Sequence, residues 1–333
     1  MKQTFGREDV YLFTKENENL IMKVCTYGAR LVALIDKKTG IDIVQGFDSV
    51  QGYEEDTCYI GAFIGRTANR IANGRFELNG KTYQLAINNN GNTNHGGLKG
   101  FDRINCKGSE DADSVIFEGF SRDGDENYPG NLRFTVTYTL EEHSVLMTIC
   151  AESDADTLFA PTSHAYFNLD GSEDAMHHEV QIHAGCYAHC DAAGLALPVF
   201  EDVDGTPFDF RRFKEAGKDI NAENEQLKFG KGYDHYYLIE SRGMRPFASL
   251  KTEKLRLDLS SDMPGMHFYT ANWQDGHIGK NGVCHKERSS IALEPSYMPN
   301  AWNYAEVSEK PLLKAGTEAV YHIRWTVTES EER

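Results

Sequence analysis

Leu132-Arg133-Phe134-Thr135-Val136-Thr137-Tyr138-Thr139-Leu140 is the stretch that decides the fold. Leu132, Phe134, Val136, Tyr138 and Leu140 recur at every second position, with Arg133, Thr135, Thr137 and Thr139 between them. Side chains alternate across a strand, so this period marks a strand with one face in a core and one in water. The same alternation returns at Leu255, Leu257 and Leu259, and again at Tyr321, Ile323, Trp325 and Val327. Arg75–Leu78 and Lys81–Leu85 flank Asn79-Gly80, a pair that supplies the positive φ angles of a two-residue type I′ hairpin turn. Helical spacing is scarce, and Arg211–Asn224 is the segment expected to hold one short helix. The sequence has no internal repeat, no low-complexity tract and no Pro/Gly/Ser-rich linker. The expectation is an all-β fold, a large antiparallel β-sandwich, with residues 1–333 as a single domain.

The 333 residues carry 34 basic and 51 acidic side chains, for a net charge of −17. That field repels phosphate backbones and anionic lipid, so neither nucleic acid nor a membrane is expected as a partner. The opening MKQTFGREDVYLFTKENENL lacks the apolar run of a signal peptide, and no stretch approaches the ~20 apolar residues of a membrane span. The expected location is cytoplasmic. Seven scattered cysteines (Cys25, Cys58, Cys106, Cys150, Cys186, Cys190 and Cys284) fit reduced thiols there.

Five segments hold residues suited to chemistry. Gly61–Arg75 (GAFIGRTANRIANGR) packs three arginines among glycines, one of which could present a fork of donors to sugar hydroxyls. Asn94-His95-Gly96-Gly97 puts a histidine on backbone that can approach a ligand closely. In Ser163–Leu169 (SHAYFNL), His164 and Tyr166 share one face of a strand, and histidine is the natural acid or base near neutral pH. Asp234 sits among aromatics in Gly232–Tyr237 (GYDHYY). In Ile291–Pro295 (IALEP), Ile291 and Leu293 face the core, and Pro295, without an N–H, is expected to end the ladder just past Glu294. Taken singly, each segment also fits an ordinary turn, a solvated side chain or a satisfied core histidine. His183, Cys186, His189 and Cys190 invite a zinc reading, but no second ligand pair at matching spacing accompanies them. Nucleophile elbow, phosphate loop and HExxH motifs are absent. What remains suits general acid–base work on a neutral, polyhydroxylated ligand.

The order of the motifs resembles the aldose 1-epimerase (galactose mutarotase) family nearly end to end. The resemblance starts at Tyr27-Gly28-Ala29 and passes through GRTANRIANGRF, NHGGLKGFD, SHAYFNLDG, GTPFDF, GYDHYY and Tyr269-Thr270-Ala271-Asn272, closing on LEP…PNAWN. It implies a β-supersandwich with an open sugar cleft, no metal and no organic cofactor. The partner it implies is a small-molecule sugar, and the assembly a monomer or homodimer. It implies Glu294 as catalytic base, His164 as catalytic acid and His95 in support at the ring oxygen. Asn69, Arg70, His95, Tyr166, Asp234 and His267 would hold the sugar. Three positions depart from the family pattern: His267 and Ser296 stand where Gln is usual, and Ile104-Asn105-Cys106 follows Arg103 where a Trp is usual.

The reaction so implied interconverts the α and β anomers of free aldohexoses such as galactose and glucose. Glu294 is expected ionised and His164 charged, acting from opposite sides of the hemiacetal, with Arg70 keeping the carboxylates ionised. Two other readings remain: a hexose-phosphate mutarotase, which would need further Arg or Lys for the phosphate, and a non-catalytic carbohydrate-binding module, which would need no paired Glu294 and His164.

Overall fold

The alternating runs form strands where the pattern marks them. In the computed structural model, which describes residues 1–239 and 242–330, strands hold 46% of the chain and helix 8%, far below the roughly one-third helix of an average globular protein. Strand Leu132–Leu140 buries Leu132, Phe134, Val136, Tyr138 and Leu140, and turns Arg133, Thr135, Thr137 and Thr139 outward. It pairs antiparallel along its length with Ser144–Ser153 and Ser114–Ser121. These strands belong to a nine-stranded sheet that continues through Glu318–Glu329, Leu255–Ser261, Arg245–Lys251 and Glu179–Ile182. A six-stranded sheet runs Tyr166–Phe167, Ile291–Ser296, Gly265–Tyr269, Asp234–Leu238, Cys186–Cys190, Ala196–Asp202. A third, four-stranded sheet holds Lys2–Thr4 through Arg30–Asp36.

One apolar cluster joins the three sheets. Met22 and Leu31 come from the four-stranded sheet, Val136, Met147 and Trp325 from the nine-stranded one, and Phe268 and Leu293 from the six-stranded one. Burying each such side chain contributes about 1.5–3 kcal/mol, which makes this cluster the main cohesive element between layers. The Asn79-Gly80 hairpin closes as expected, with φ of 52° and 73° at its two turn residues.

Two expectations fail. Arg211–Asn224 is not helical: Lys214–Glu215 pairs with Glu179–Val180 as an edge strand, and the helix begins only at Glu225 and runs to Gly230. Asn224 is the reason, since its side chain accepts from the N–H groups of Gln226 and Leu227 and so caps a helix that starts after it. A second short helix, Val50–Glu55, lies where no periodicity marked one. Nor does Pro295 end its strand. Met266 lies opposite Pro295 and Gly265 opposite Ser296. Pro295 turns its carbonyl toward Thr162 Oγ1, on the side where the short strand Tyr166–Phe167 has already stopped, so its missing N–H breaks no ladder bond there.

Burial makes the fold sensitive to mild acid. His164 and His235 are pushed down to about 3, and His178 and His285 to about 4, by burial first; His95 is likewise held well below its usual value. The unfolded chain binds protons at these positions near pH 6.5 while the native one does not, so stability is lost as pH falls through that value. Glu294, Asp56 and Asp102, pushed up by burial, oppose this. The five histidines outnumber these three acids, and calorimetry should show Tm falling between pH 7.5 and 5; a constant or rising Tm would contradict this account.

Candidate active site

Strand register assembles the floor of the site. Tyr236, His267 and Glu294 lie directly opposite one another on three adjacent strands, and so do Asp234, Tyr269, Ala292 and Tyr166. Opposed residues share a sheet face. The intervening Tyr237, Met266, Phe268, Leu293, Ile291 and Phe167 therefore point the other way, into the main core. A strand alternation that is apolar on one side delivers Asp234, His267 and Glu294 together on the other.

Loops supply the walls. Of the three arginines in Gly61–Arg75, Arg66 is buried against Ser121 and the carbonyls of Pro129 and Gly130, and Arg75 is exposed. Arg70 alone reaches the cleft. Its Nε donates to Asn89 Oδ1 and its Nη1 to Gly194 O, which ties two loops together. Asn69 and His95 hold each other: His95 N–H donates to Asn69 O, and Asn69 N–H donates to His95 Nδ1, both at 3.2 Å. Both residues have positive φ, 58° and 49°, a conformation that costs free energy and clusters at functional sites. His164 is pinned through its backbone, its N–H donating to Ala62 O and its carbonyl accepting from Gly61 N–H.

The result is a cavity of about 360 Å³. All eight residues singled out from the sequence line it: Asn69, Arg70, His95, His164, Tyr166, Asp234, His267 and Glu294. Glu294 Oε1 lies 3.7 Å from His164 Nε2, so the pair stands side by side rather than on opposite sides of a ligand. His267 Nε2 lies 2.6 Å from Asp234 Oδ1. The sequence reading did not single out Tyr59, Asn89, Asn94, Phe229, Tyr269 or Trp273, which also line the cleft. The asparagine-rich run Asn88–Asn94 was the available signal for two of these. Trp273 is half exposed, with the Lys231 amine 3.9 Å over its ring.

The pKa shifts of the pair run in the direction opposite to the expectation. Burial raises Glu294 well above the usual carboxyl value, repulsion from Asp234 adds to it, and Arg70 opposes both without winning. Burial lowers His164 to about 3. Burial thus favours the neutral form of each group, a carboxylic acid at Glu294 and an uncharged imidazole at His164. Asp234 remains a carboxylate at about 2: burial raises it, but the His267 hydrogen bond, with help from Arg70, lowers it further.

The four residues of the zinc reading do not converge. His189 Nε2 lies 2.6 Å from Glu201, while buried Cys190 lies against His235.

A β-supersandwich whose cleft holds two carboxyls, three imidazoles and one arginine has the groups for proton transfer on a polyhydroxylated ligand. The aldose 1-epimerase family model matches residues 11–326. The chain is 34% identical to the galactose mutarotase of Rattus norvegicus, over 96% of this chain and 94% of that protein. It is 33% identical to the aldose 1-epimerase of Escherichia coli K12, over 89% and 88%. The crystal structure of galactose 1-epimerase from Lactobacillus acidophilus superposes with a TM-score of 0.87 at 28% identity, covering 99% of each chain. The chain belongs to the aldose 1-epimerase family.

The Asn69 N–H bond fixes the His95 tautomer. Nδ1 accepts, and burial keeps the ring neutral, so the proton is on Nε2. Nitrogen NMR at pH 7 should show His95 as the Nε2–H tautomer; an Nδ1–H or imidazolium signal would contradict the arrangement.

Proposed function

We propose that this isomerase interconverts the α and β anomers of free aldohexoses such as galactose and glucose, with Glu294 and His164 exchanging protons with the two oxygens of the anomeric carbon. The observation that carries the reading is the 3.7 Å spacing of Glu294 Oε1 and His164 Nε2 at the floor of a sugar-sized cleft. Two oxygens on one carbon are close neighbours, and two side-by-side groups can address both at once. Ring opening moves the C1 hydroxyl proton to the Glu294 carboxylate and a proton from His164 to the ring oxygen, while the bond from C1 to the ring oxygen breaks and C1 becomes an aldehyde. Rotation about C1–C2 presents the other aldehyde face. The ring hydroxyl then returns its proton to His164 as its oxygen attacks C1, and Glu294 protonates the carbonyl oxygen.

Opening thus leaves Glu294 protonated and His164 neutral, the form that burial favours. The site is electrostatically matched to the open-chain intermediate. A closed ring is attacked only after the proton passes from Glu294 to His164, which creates a carboxylate–imidazolium pair that attracts itself strongly at this distance. His95 Nε2–H supports the ring oxygen. Arg70 Nη2, without a protein acceptor among the described residues, and the Asp234 carboxylate hold hydroxyls, and Asn69 Oδ1 orients Arg70 by accepting from its backbone N–H and its Nη1. Tyr166 lines the same cleft.

Arg70 is the one cation among the described residues lining the cleft, which gives a phosphate too little to bind and disfavours a hexose-phosphate substrate. A binding module would have no use for a buried Glu294–His164 pair. Seven free cysteines support a cytoplasmic setting, and no helix among the described residues is long and apolar enough to cross a membrane.

Glu294→Gln should cost ~10²–10⁴-fold in mutarotation of free galactose while keeping the fold, because an amide cannot take the C1 proton. His164→Asn should lose most of the rate with much less effect on KM. Polarimetry of free sugars beside their phosphates checks the reading; equal rates on both, or a near-wild-type Glu294→Gln, would overturn it. The pH profile follows from the shared proton. Activity falls when a second proton enters the pair or the last one leaves, and burial pushes these events apart. The acid limb of kcat/KM should therefore lie below the ordinary histidine value of ~6.5; an acid limb centred there would contradict the shared-proton pair.

A further inference from the structure

Asp234 and His267 stand on neighbouring strands at diagonal register positions, Asp234 opposite Tyr269 and His267 opposite Tyr236. Diagonal neighbours on one face are within reach of long side chains, and the imidazole closes the gap, with Nε2 at 2.6 Å from Asp234 Oδ1. On its other flank His267 lies directly opposite Glu294. The ring therefore sits between the two carboxyls of the site. It is almost fully buried, and its Nδ1 has no partner. Nε2 is thus engaged by Asp234, while the only other ring nitrogen is buried away from any partner.

The surroundings of Asp234 show what this bond does. Arg70 faces it from the cleft wall, Glu294 and Tyr269 from the same sheet face, His164 from across the cleft, and His235 and Cys190 from behind. His235 already has both ring nitrogens engaged, one accepting from the Asp234 N–H and one against Cys190. Burial alone would push the Asp234 carboxyl up, and the His267 bond is the largest effect opposing that.

We infer that His267 is a positioning residue for anomerisation: it fixes one oxygen of Asp234 and leaves the other free to accept from a sugar hydroxyl. The inference rests on the assignment of Asp234 to sugar binding. It gives His267 a role through Asp234 rather than a direct contact with the sugar. It also makes the role one of binding, so the loss on removing His267 falls on KM.

The test measures kcat and KM for free galactose by polarimetry at pH 8 and pH 5.5, with melting curves to confirm folding. Asp234→Asn sets the reference, an expected rise in KM of about tenfold or more, as for one lost hydrogen bond to a charged group. His267→Ala should raise KM several-fold at pH 8 and further at pH 5.5, because an unsupported buried carboxyl takes up a proton as pH falls. Its kcat should stay within about threefold of wild type. His267→Gln should restore most of the wild-type KM and its flat pH response, since the amide N–H can donate to the same oxygen. His267→Leu, which fills the space but cannot donate, should repeat the Ala result and serves if Ala does not fold. A wild-type KM in the Ala or Leu variant, a kcat loss without a KM change, or a Gln variant that behaves like Ala would each overturn the inference. An Asp234→Asn enzyme with unchanged KM would remove the assignment of Asp234 itself, and the inference with it.

Discussion

The burial of two titratable groups side by side is the constraint on which the site depends. Glu294 and His164 are nearly inaccessible to water, 3.7 Å apart, and each is driven by burial toward its neutral form. An isolated buried charge is expensive, and a pair that carries one proton avoids both charges at once. In the proposed reaction the same economy helps, because the neutral pair is the form that coexists with the open-chain sugar. Under the proposed mechanism Glu294 and His164 do not need pKa values on either side of the working pH in the resting enzyme. They need to exchange one proton over a short distance.

The sheet makes that distance reproducible. Glu294, His267 and Asp234 come from three neighbouring strands whose reverse faces carry Leu293, Phe268 and Tyr237 into the core. A one-residue slip would send the three polar groups into apolar packing, so the core that stabilises the sheet also fixes the register of the site. His95 and Asn69 arrive on loops and Arg70 on the two-residue strand Arg70–Ile71, outside the six-stranded sheet, so they need other restraints. Reciprocal bonds between Asn69 and His95 supply one, and Arg70 clasping Asn89 and Gly194 supplies the other.

The strands were legible because their period is simple: Leu132–Leu140 reads as a strand without help, and its burial follows the alternation residue by residue. Glu294 was legible for the same reason, since Ile291 and Leu293 mark the core side. The short helices were not. Glu225–Gly230 is too brief to show a helical period, and Asn224 marks its start only once its side chain is seen capping. The walls of the cleft were legible in part: Tyr59 and Trp273 reach it through backbone turns that leave no trace in spacing. The direction in which burial shifts Glu294 and His164 was not legible, because it depends on how layers close over them, and sequence spacing carries no measure of that.

The shared proton is open to direct observation. Difference infrared spectroscopy of the ligand-free enzyme at pH 7, wild type against Glu294→Gln, isolates the stretch of this one carboxyl. The account predicts a protonated carboxylic acid band that is lost in the variant. A carboxylate band in its place would show Glu294 ionised at rest, and the shared-proton pair would have to be abandoned.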